Sequence, residues 1–436
     1  MTLSIADQAI SLAENTSGPA GGKIVPSSVP RLRLRIFNVK YSPNLGDGLL
    51  SECLEQALID CGAHADTWSV DLAGRTTYGP GDDQRGTLIR ALHVLPPAIR
   101  QSIVRLPLAI QSRRRWRPHY DAALLRADCV VIGGGNLVVD LDLNFPTKIA
   151  LAIEAAERRG LPVFFYGCGV SSGWSPKGRT LVQRALKRGV VRSVFVRDER
   201  SRLLWDEEFG NDFDLPAVVV ADPGLLAQSR YHVHERTPLQ RGDRLSVGIN
   251  ITSPAAVRYH STTAVDTVGL EAWYCEVARG LAAAGFGVTL FTNGSPEDRT
   301  CVLRVRSILE RSSKIDRFSF VEPQTPEELA RLIGGFDGLF AFRMHAIIAA
   351  YSSRVPFVAL SWDAKLESFV RSVALEHWLI SPLGVSPRAA CEILSEAMAT
   401  GIDKSDHAKV MMRAFEGIAA LHAEIVKAVA EANTCE

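Results

Sequence analysis

The chain has 436 residues, 47% of them hydrophobic and 22% charged, with a formal net charge of +1. That length favours two cores of ordinary size over one, the composition excludes a disordered or fibrous protein, and near-neutrality excludes a protein built to wrap nucleic acid. Eight cysteines form no Cys-x-x-Cys pair and no metal-ligand spacing, so they are expected to be reduced thiols of a cytoplasmic protein without a metal or other cofactor.

Residues 1–30 are rich in Ser, Gly, Ala and Pro and lack a basic start followed by an apolar core. They are expected to form a mobile extension and not an export signal, and no later run approaches a membrane span. The fold begins near Arg31. A strand over 33–39 leads into the loop 40–47, and Leu50, Leu54 and Leu58 then mark a helix that Asp47 is placed to cap and Gly62 to end. After a second strand over 65–70, the span 72–117 has the look of an insertion. Its end, 95–117, combines Leu95, Ile99 and Ile103 with Arg105, Arg113, Arg114, Arg115 and Arg117. Such a basic amphipathic stretch can lie on an anionic membrane surface; the plainer reading is a solvated helix broken near Pro107.

From Ala122 the pattern alternates. Strands are expected over 129–132 (breaking at Gly133 to Asn136), 162–166, 193–196 and 217–221, with helices over 148–159, 179–188 and 199–208 between them. A polar linker at 228–243 follows. The alternation then resumes with strands over 245–250, 287–291, 318–321, 338–342 and 356–360 and helices over 270–284, 298–311, 326–333 and 346–351. Helices over 366–373, 388–399 and 407–431 close the chain. Strands alternating with helices imply parallel sheets covered on both faces. The expectation is an α/β protein of two facing Rossmann-like, doubly wound domains, 31–235 and 244–436, with strand ends lining a cleft between them.

Polar residues at strand ends carry the chemistry. Arg343 and His345 fall where the strand at 338–342 turns into a helix, beside free backbone N–H groups and the positive end of the helix dipole, a geometry that binds anions. The competing reading pairs Arg343 internally with Asp337 or another carboxylate. Asp363 and Lys365 follow the next strand. Asp47 can accept a proton from a substrate hydroxyl or cap its helix, and Asn44 can hold a sugar hydroxyl or serve its turn. Gly133 to Gly135 permit close backbone approach to a ligand. Arg197 and Asp198 end a strand and either reach the cleft or pair with each other, and Asp222 before Pro223 is similar. Asp140 with Asp142, and His232 with His234, have the weaker look of metal pairs.

In chain order, Asn44-Leu-Gly-Asp47, Gly133-Gly-Gly-Asn136-Leu137, Val196-Arg-Asp198, Ala221-Asp-Pro223, Arg343-Met-His-Ala346 and Ser361-Trp-Asp-Ala-Lys365 together resemble the polysaccharide pyruvyl transferase family, over about 36–369. Met344, Trp362 and Ala364 depart from the residues usual there. The resemblance implies a GT-B-like fold and transfer of pyruvate from phosphoenolpyruvate onto two hydroxyls of a sugar, often in a lipid-linked oligosaccharide, giving a ketal. On the matched motifs it implies that Arg343 and His345 meet the donor on the 244–436 side, where Met344 and Lys365 are further candidates for binding it. Arg197, Asn44, Gly134, Gly135 and Asn136 then contribute from the 31–235 side, which receives the acceptor. His345 and Arg343 would be catalytic, with Asp47 the base. A nucleotide-sugar glycosyltransferase on the same architecture and a non-catalytic sugar-binding module are the rivals.

Overall fold

The structure is a computed structural model that describes residues 31–79, 107–233, 244–254, 267–312, 318–382 and 384–434. The expected extension 1–30, the 95–106 part of the basic stretch, most of the linker and His234 lie outside the described residues. Two six-stranded sheets, each wholly parallel, account for the alternation. The first contains β1 (Leu34–Asn38), β2 (Trp68–Asp71), β3 (Cys129–Val138), β4 (Val163–Val170), β5 (Val191–Val196) and β6 (Ala217–Val219), in the order β2-β1-β3-β4-β5-β6. The second contains β7 (Ser246–Asn250), β8 (Gly287–Phe291), β9 (Phe318–Val321), β10 (Gly338–Ala341), β11 (Phe357–Leu360) and β12 (Leu379–Ile380), in the order β12-β11-β10-β7-β8-β9.

Each order reverses once, between β1 and β3 in the first sheet and between β7 and β10 in the second. In open α/β sheets the crevice beyond the strand ends at such a reversal is where ligands bind. The helices that frame it are α1 (Leu45–Asp60), α2 (Glu199–Trp205), α3 (Pro296–Ser312), α4 (Pro326–Gly334), α5 (Met344–Ser352), α6 (Ala364–Ser372) and the long α7 (Lys404–Thr434).

One apolar core joins the two sheets. Leu45, Leu49 and Cys53 of α1 and Leu225 after β6 pack with Leu329 and Ile333 of α4 and with Ala346 to Tyr351 of α5. The last helix crosses back: Val410 and Ala414 enter this shared core, while Ile418, Leu421 and Ile425 cover Leu34 and Ile36 of the first sheet and Leu54 of α1. Gly417 permits that crossing, since a Cβ there would lie 3.0 Å from the Tyr166 hydroxyl. No described helix is long and apolar enough to cross a membrane.

Three local expectations are corrected. β3 does not break at Gly133 but runs on to Val138, with a register shift against β4 between Gly135 and Val138. Its glycines are required by packing, because a Cβ on Gly134, at φ +85°, would lie 2.1 Å from Leu50 Cδ1 of α1; the room they make is taken by that helix. Asn44, not Asp47, caps α1, its side chain accepting from the Gly46 N–H at 3.2 Å. The helix expected over 199–208 stops at Trp205 and continues as a π-turn, Asp206–Gly210. In the described part of the basic stretch, Ser112–Trp116 is likewise a π-turn that buries Trp116 and leaves Arg113 to Arg115 exposed, while Arg117 pairs with Glu154 at 2.9 Å.

Candidate active site

β10 delivers the chain to the reversal point of the second sheet, where Arg343 occupies the N-cap of α5 and no side chain caps the helix. By contrast α1, α2, α4 and α6 are closed by Asn44, Asp198, Thr325 and Asp363. The first amides of α5, on Met344 and His345, are thus left without a side-chain acceptor, and the helix dipole adds a partial positive charge there.

Arg343 has a carboxylate partner, as the competing reading required, but it is not Asp337. Asp298 of α3 accepts from Nε at 3.0 Å and from Nη2 at 2.5 Å, while Ser295 Oγ lies 3.2 Å from Nη2. The other oxygen of Asp298 accepts the Ser253 N–H at 2.7 Å. Asp337 is committed to the Ser246 N–H. With its Nε side anchored and Trp362 5.7 Å from its carbon centre, the guanidinium is fixed in orientation.

His345 sits at the contact between the two sheets. A Cβ on Gly46 would come within 2.7 Å of His345 Cβ and 2.9 Å of its Nδ1, so only glycine lets the tip of α1 rest on the ring. Alongside, the Leu45 N–H donates to the Asn293 carbonyl at 2.7 Å, binding the two halves backbone to backbone. Asp222, just past β6, places Oδ2 3.9 Å from His345 Nε2. Burial pushes the His345 pKa down, against the pull of Asp222 and Asp47. Burial pushes Asp47 up, against His345, Ser42, Arg75 and Arg343. Burial thus favours the neutral form of each group, while the charge of the other favours the ionised pair.

Arg197 and Lys365 meet across the cleft from opposite sheets. Arg197 pairs locally with Asp198 at 3.3 Å, yet its side chain is only 5% exposed and its Nη2 has no partner. Gly169 makes space for it: a Cβ there would lie 2.5 Å from Arg197 Nη2 and 2.7 Å from Asn136 Oδ1. Burial, then the neighbouring charge of Arg197, holds Lys365 down at about 8. Two cations brought this close in a cleft are arranged for an anion.

Six buried polar atoms without a hydrogen-bond partner lie at these strand ends, while others among the described residues lie elsewhere. Asn136 Oδ1, Arg197 Nη2 and Asp222 Oδ2 come from the first sheet, and Asn250 Oδ1, Asn293 Nδ2 and His345 Nε2 from the second. Orphaned buried groups are rare in folded proteins, and their concentration at one place marks a ligand site. Of the residues singled out from sequence, Arg343, His345, Asp47, Arg197 and Lys365 are linked into one electrostatic cluster. Asn136 borders it, its Nδ2 3.3 Å from Ser171 Oγ, and Asn44 serves it as the cap of α1. Gly134 and Gly135 face Leu50, and Met344 packs against the shared core. Asp140 staples its own loop, accepting from the Ser175 and Leu143 N–H groups at 2.9 and 3.0 Å, and His232 is exposed. Asp298, Asn293 and Asn250 were missed: Asn250 ends the expected strand 245–250 and Asp298 opens the expected helix 298–311, but neither shows locally which residue it will meet.

Two doubly wound parallel domains with a polar cleft at their facing strand ends define a GT-B-type fold. Solved structures share it: a Listeria monocytogenes protein described as a UDP-N-acetylglucosamine 2-epimerase (12% identity, 90% of this chain and 94% of that one, TM-score 0.52) and the Burkholderia multivorans α,α-trehalose 6-phosphate synthase (13%, 93% and 98%, 0.51). At such identity the likeness extends to the fold alone. No curated protein matches the chain. Against family models, residues 44–364 match "Polysaccharide pyruvyl transferase". The chain belongs to that family, and it is a transferase.

Proposed function

We propose that the protein transfers pyruvate from phosphoenolpyruvate onto two hydroxyls of a sugar in a polysaccharide or its lipid-linked oligosaccharide precursor, closing a cyclic ketal. The observation that carries this reading is the convergence of Arg197, Lys365, Arg343 and the uncapped end of α5 beside His345 and Asp47. Phosphoenolpyruvate is a small trianion whose phosphate and carboxylate both need cationic partners. In this reading residues 244–436 form the donor side and 31–235 the acceptor side, with Arg197 reaching across. Met344 contributes its amide, Asn136 a side-chain amide, and Asn44 the turn that shapes the acceptor wall, with Gly134 and Gly135 seating α1 behind it.

The chemistry then balances within the cluster. Binding a trianion shifts His345 towards the imidazolium, which delivers its proton to the methylene carbon of the donor and leaves the adjacent carbon electrophilic. One acceptor hydroxyl adds to that carbon and gives its proton to Asp47. The C–O bond to phosphate breaks, Asp47 returning the proton to the departing phosphate, and the second hydroxyl closes the ring as its proton restores His345. Phosphate and the ketal are the products. The exposed arginines 113–115 suit peripheral contact with an anionic membrane carrying the acceptor; binding to anionic vesicles that weakens with salt supports that part, and no binding at low salt removes it.

Thermal shift separates this reading from a glycosyltransferase. Phosphoenolpyruvate near 100 times its dissociation constant should stabilise the protein by about 2.7 kcal/mol, Arg343→Ala should lose that shift, and UDP- or GDP-sugars should give none. A shift with nucleotide sugars but not with phosphoenolpyruvate would overturn it.

A further inference from the structure

We propose that Asp222 is a positioning residue for His345: a carboxylate of the first sheet that takes the Nε2–H of a histidine of the second, leaving Nδ1 as the nitrogen that exchanges protons with substrate. Both atoms concerned, Asp222 Oδ2 and His345 Nε2, are buried and otherwise without a partner. Each answers the other's deficit. Their 3.9 Å separation is about 1 Å longer than an N–H···O bond, a gap that a small ring rotation closes, and catalytic hydrogen bonds are commonly long before substrate arrives.

The carboxylate is held ready. Asp222 Oδ1 accepts the Gly224 N–H at 2.9 Å, capping the turn Pro223–Leu226, and that turn is packed so that a Cβ on Gly224 would lie 3.2 Å from Ile348 of α5 and 3.5 Å from Leu49 of α1. Asp222 is thereby tied to both helices whose ends form the site. With Nε2 turned to it, Nδ1 lies along the Gly46 side of the ring, the loop that carries Asp47. The charged groups acting on the ring are Asp47 on α1, Asp222 after β6, Arg197 at the end of β5 and Arg343 at the start of its own helix. Two carboxylates balance two guanidiniums. Without Asp222 the imidazolium faces two cations and one carboxylate.

Asp222→Asn tests the arrangement, because its side-chain oxygen can still cap Gly224 while the charge is gone. In phosphate release from phosphoenolpyruvate, a readout resting on the function proposed above, the alkaline limb of kcat/KM should move to lower pH by about one to three pH units at unchanged melting temperature. An unmoved limb overturns the proposal. A second measurement needs neither substrate nor variant folding: in protein labelled with 15N-histidine, the neutral His345 ring should carry its proton on Nε2. A proton on Nδ1 overturns the dyad whatever the donor is, whereas an Nε2–H spectrum with no phosphate release overturns the donor assignment and leaves the dyad standing.

Discussion

Replacing Asp298 by Asn isolates the pair on which the orientation of Arg343 depends. Asp298 is fully buried and the Arg343 side chain is 15% exposed, so the substitution strands a nearly buried guanidinium. Asn cannot repair this. If its oxygen keeps the Ser253 N–H, its NH2 faces the Arg343 donors; if it flips, donor faces donor at Ser253. Breaking a buried pair costs about 3–5 kcal/mol, and the remaining exposure and Ser295 Oγ at 3.2 Å place the expectation at the lower end, about 3 kcal/mol. With a urea slope near 3 kcal/mol per molar, the unfolding midpoint followed by circular dichroism should fall by about 1 M. Arg343→Met should also destabilise, by leaving Asp298 buried and unpaired. The double variant should lose less than the sum of the two, with a coupling of about 2 kcal/mol. The half-saturating concentration of phosphoenolpyruvate should rise in Asp298→Asn although Arg343 is intact. A loss under 1 kcal/mol, or additive losses, would refute the view that Asp298 is what holds Arg343.

Lys365 supplies a pH dependence. Held at about 8, it is a cation below that pH and neutral above it, so kcat/KM for phosphoenolpyruvate should fall a second time as pH rises through about 8, beyond the limb set by His345; Lys365→Met should be weak throughout and lose that second fall, and an unchanged second fall in the variant would assign it to another group. Gly134→Ala should destabilise by about 2–4 kcal/mol in urea titration, through a left-handed backbone angle and a Cβ 2.1 Å from Leu50 Cδ1. Parent-like stability in that variant would mean that α1 relaxes away from β3 freely.

Much of the fold was legible because each strand is a short apolar run punctuated by a turn. The second sheet's strands at 287–291 and 318–321 match β8 and β9 end for end. Where the reading failed, a tertiary partner was the reason. Gly133 to Gly135 look like a strand terminator locally, but the positive φ of Gly134 and Gly135 and the missing side chains serve the close approach of Leu50, a residue about 80 positions earlier. Asp47 is a good cap by composition, yet Asn44 stands where the helix begins and takes the Gly46 N–H. The two-residue β12 has too little sequence to show a period. Nor could the pattern show that α7 returns to the first sheet, since an apolar helix face carries no address.

Arg197, Arg343, His345 and Lys365 were visible because a charge beside an apolar run is conspicuous. Asn250, Asn293 and Asp298 were not. Asp298 looks like one more acidic residue in the first turn of α3, and only the fold, by placing α3 beside the end of β10, turns it into the partner of Arg343. The same logic explains why the cluster is split between the sheets. Gathered on one sheet, Arg197, Lys365 and Arg343 would repel at every stage of folding. Drawn from two sheets, they come together only when α1, α4 and α5 bury their shared apolar core, and the hydrophobic gain of that burial offsets the cost of confronting like charges. In the proposed function, the strain so stored is relieved when the anionic donor enters between the sheets.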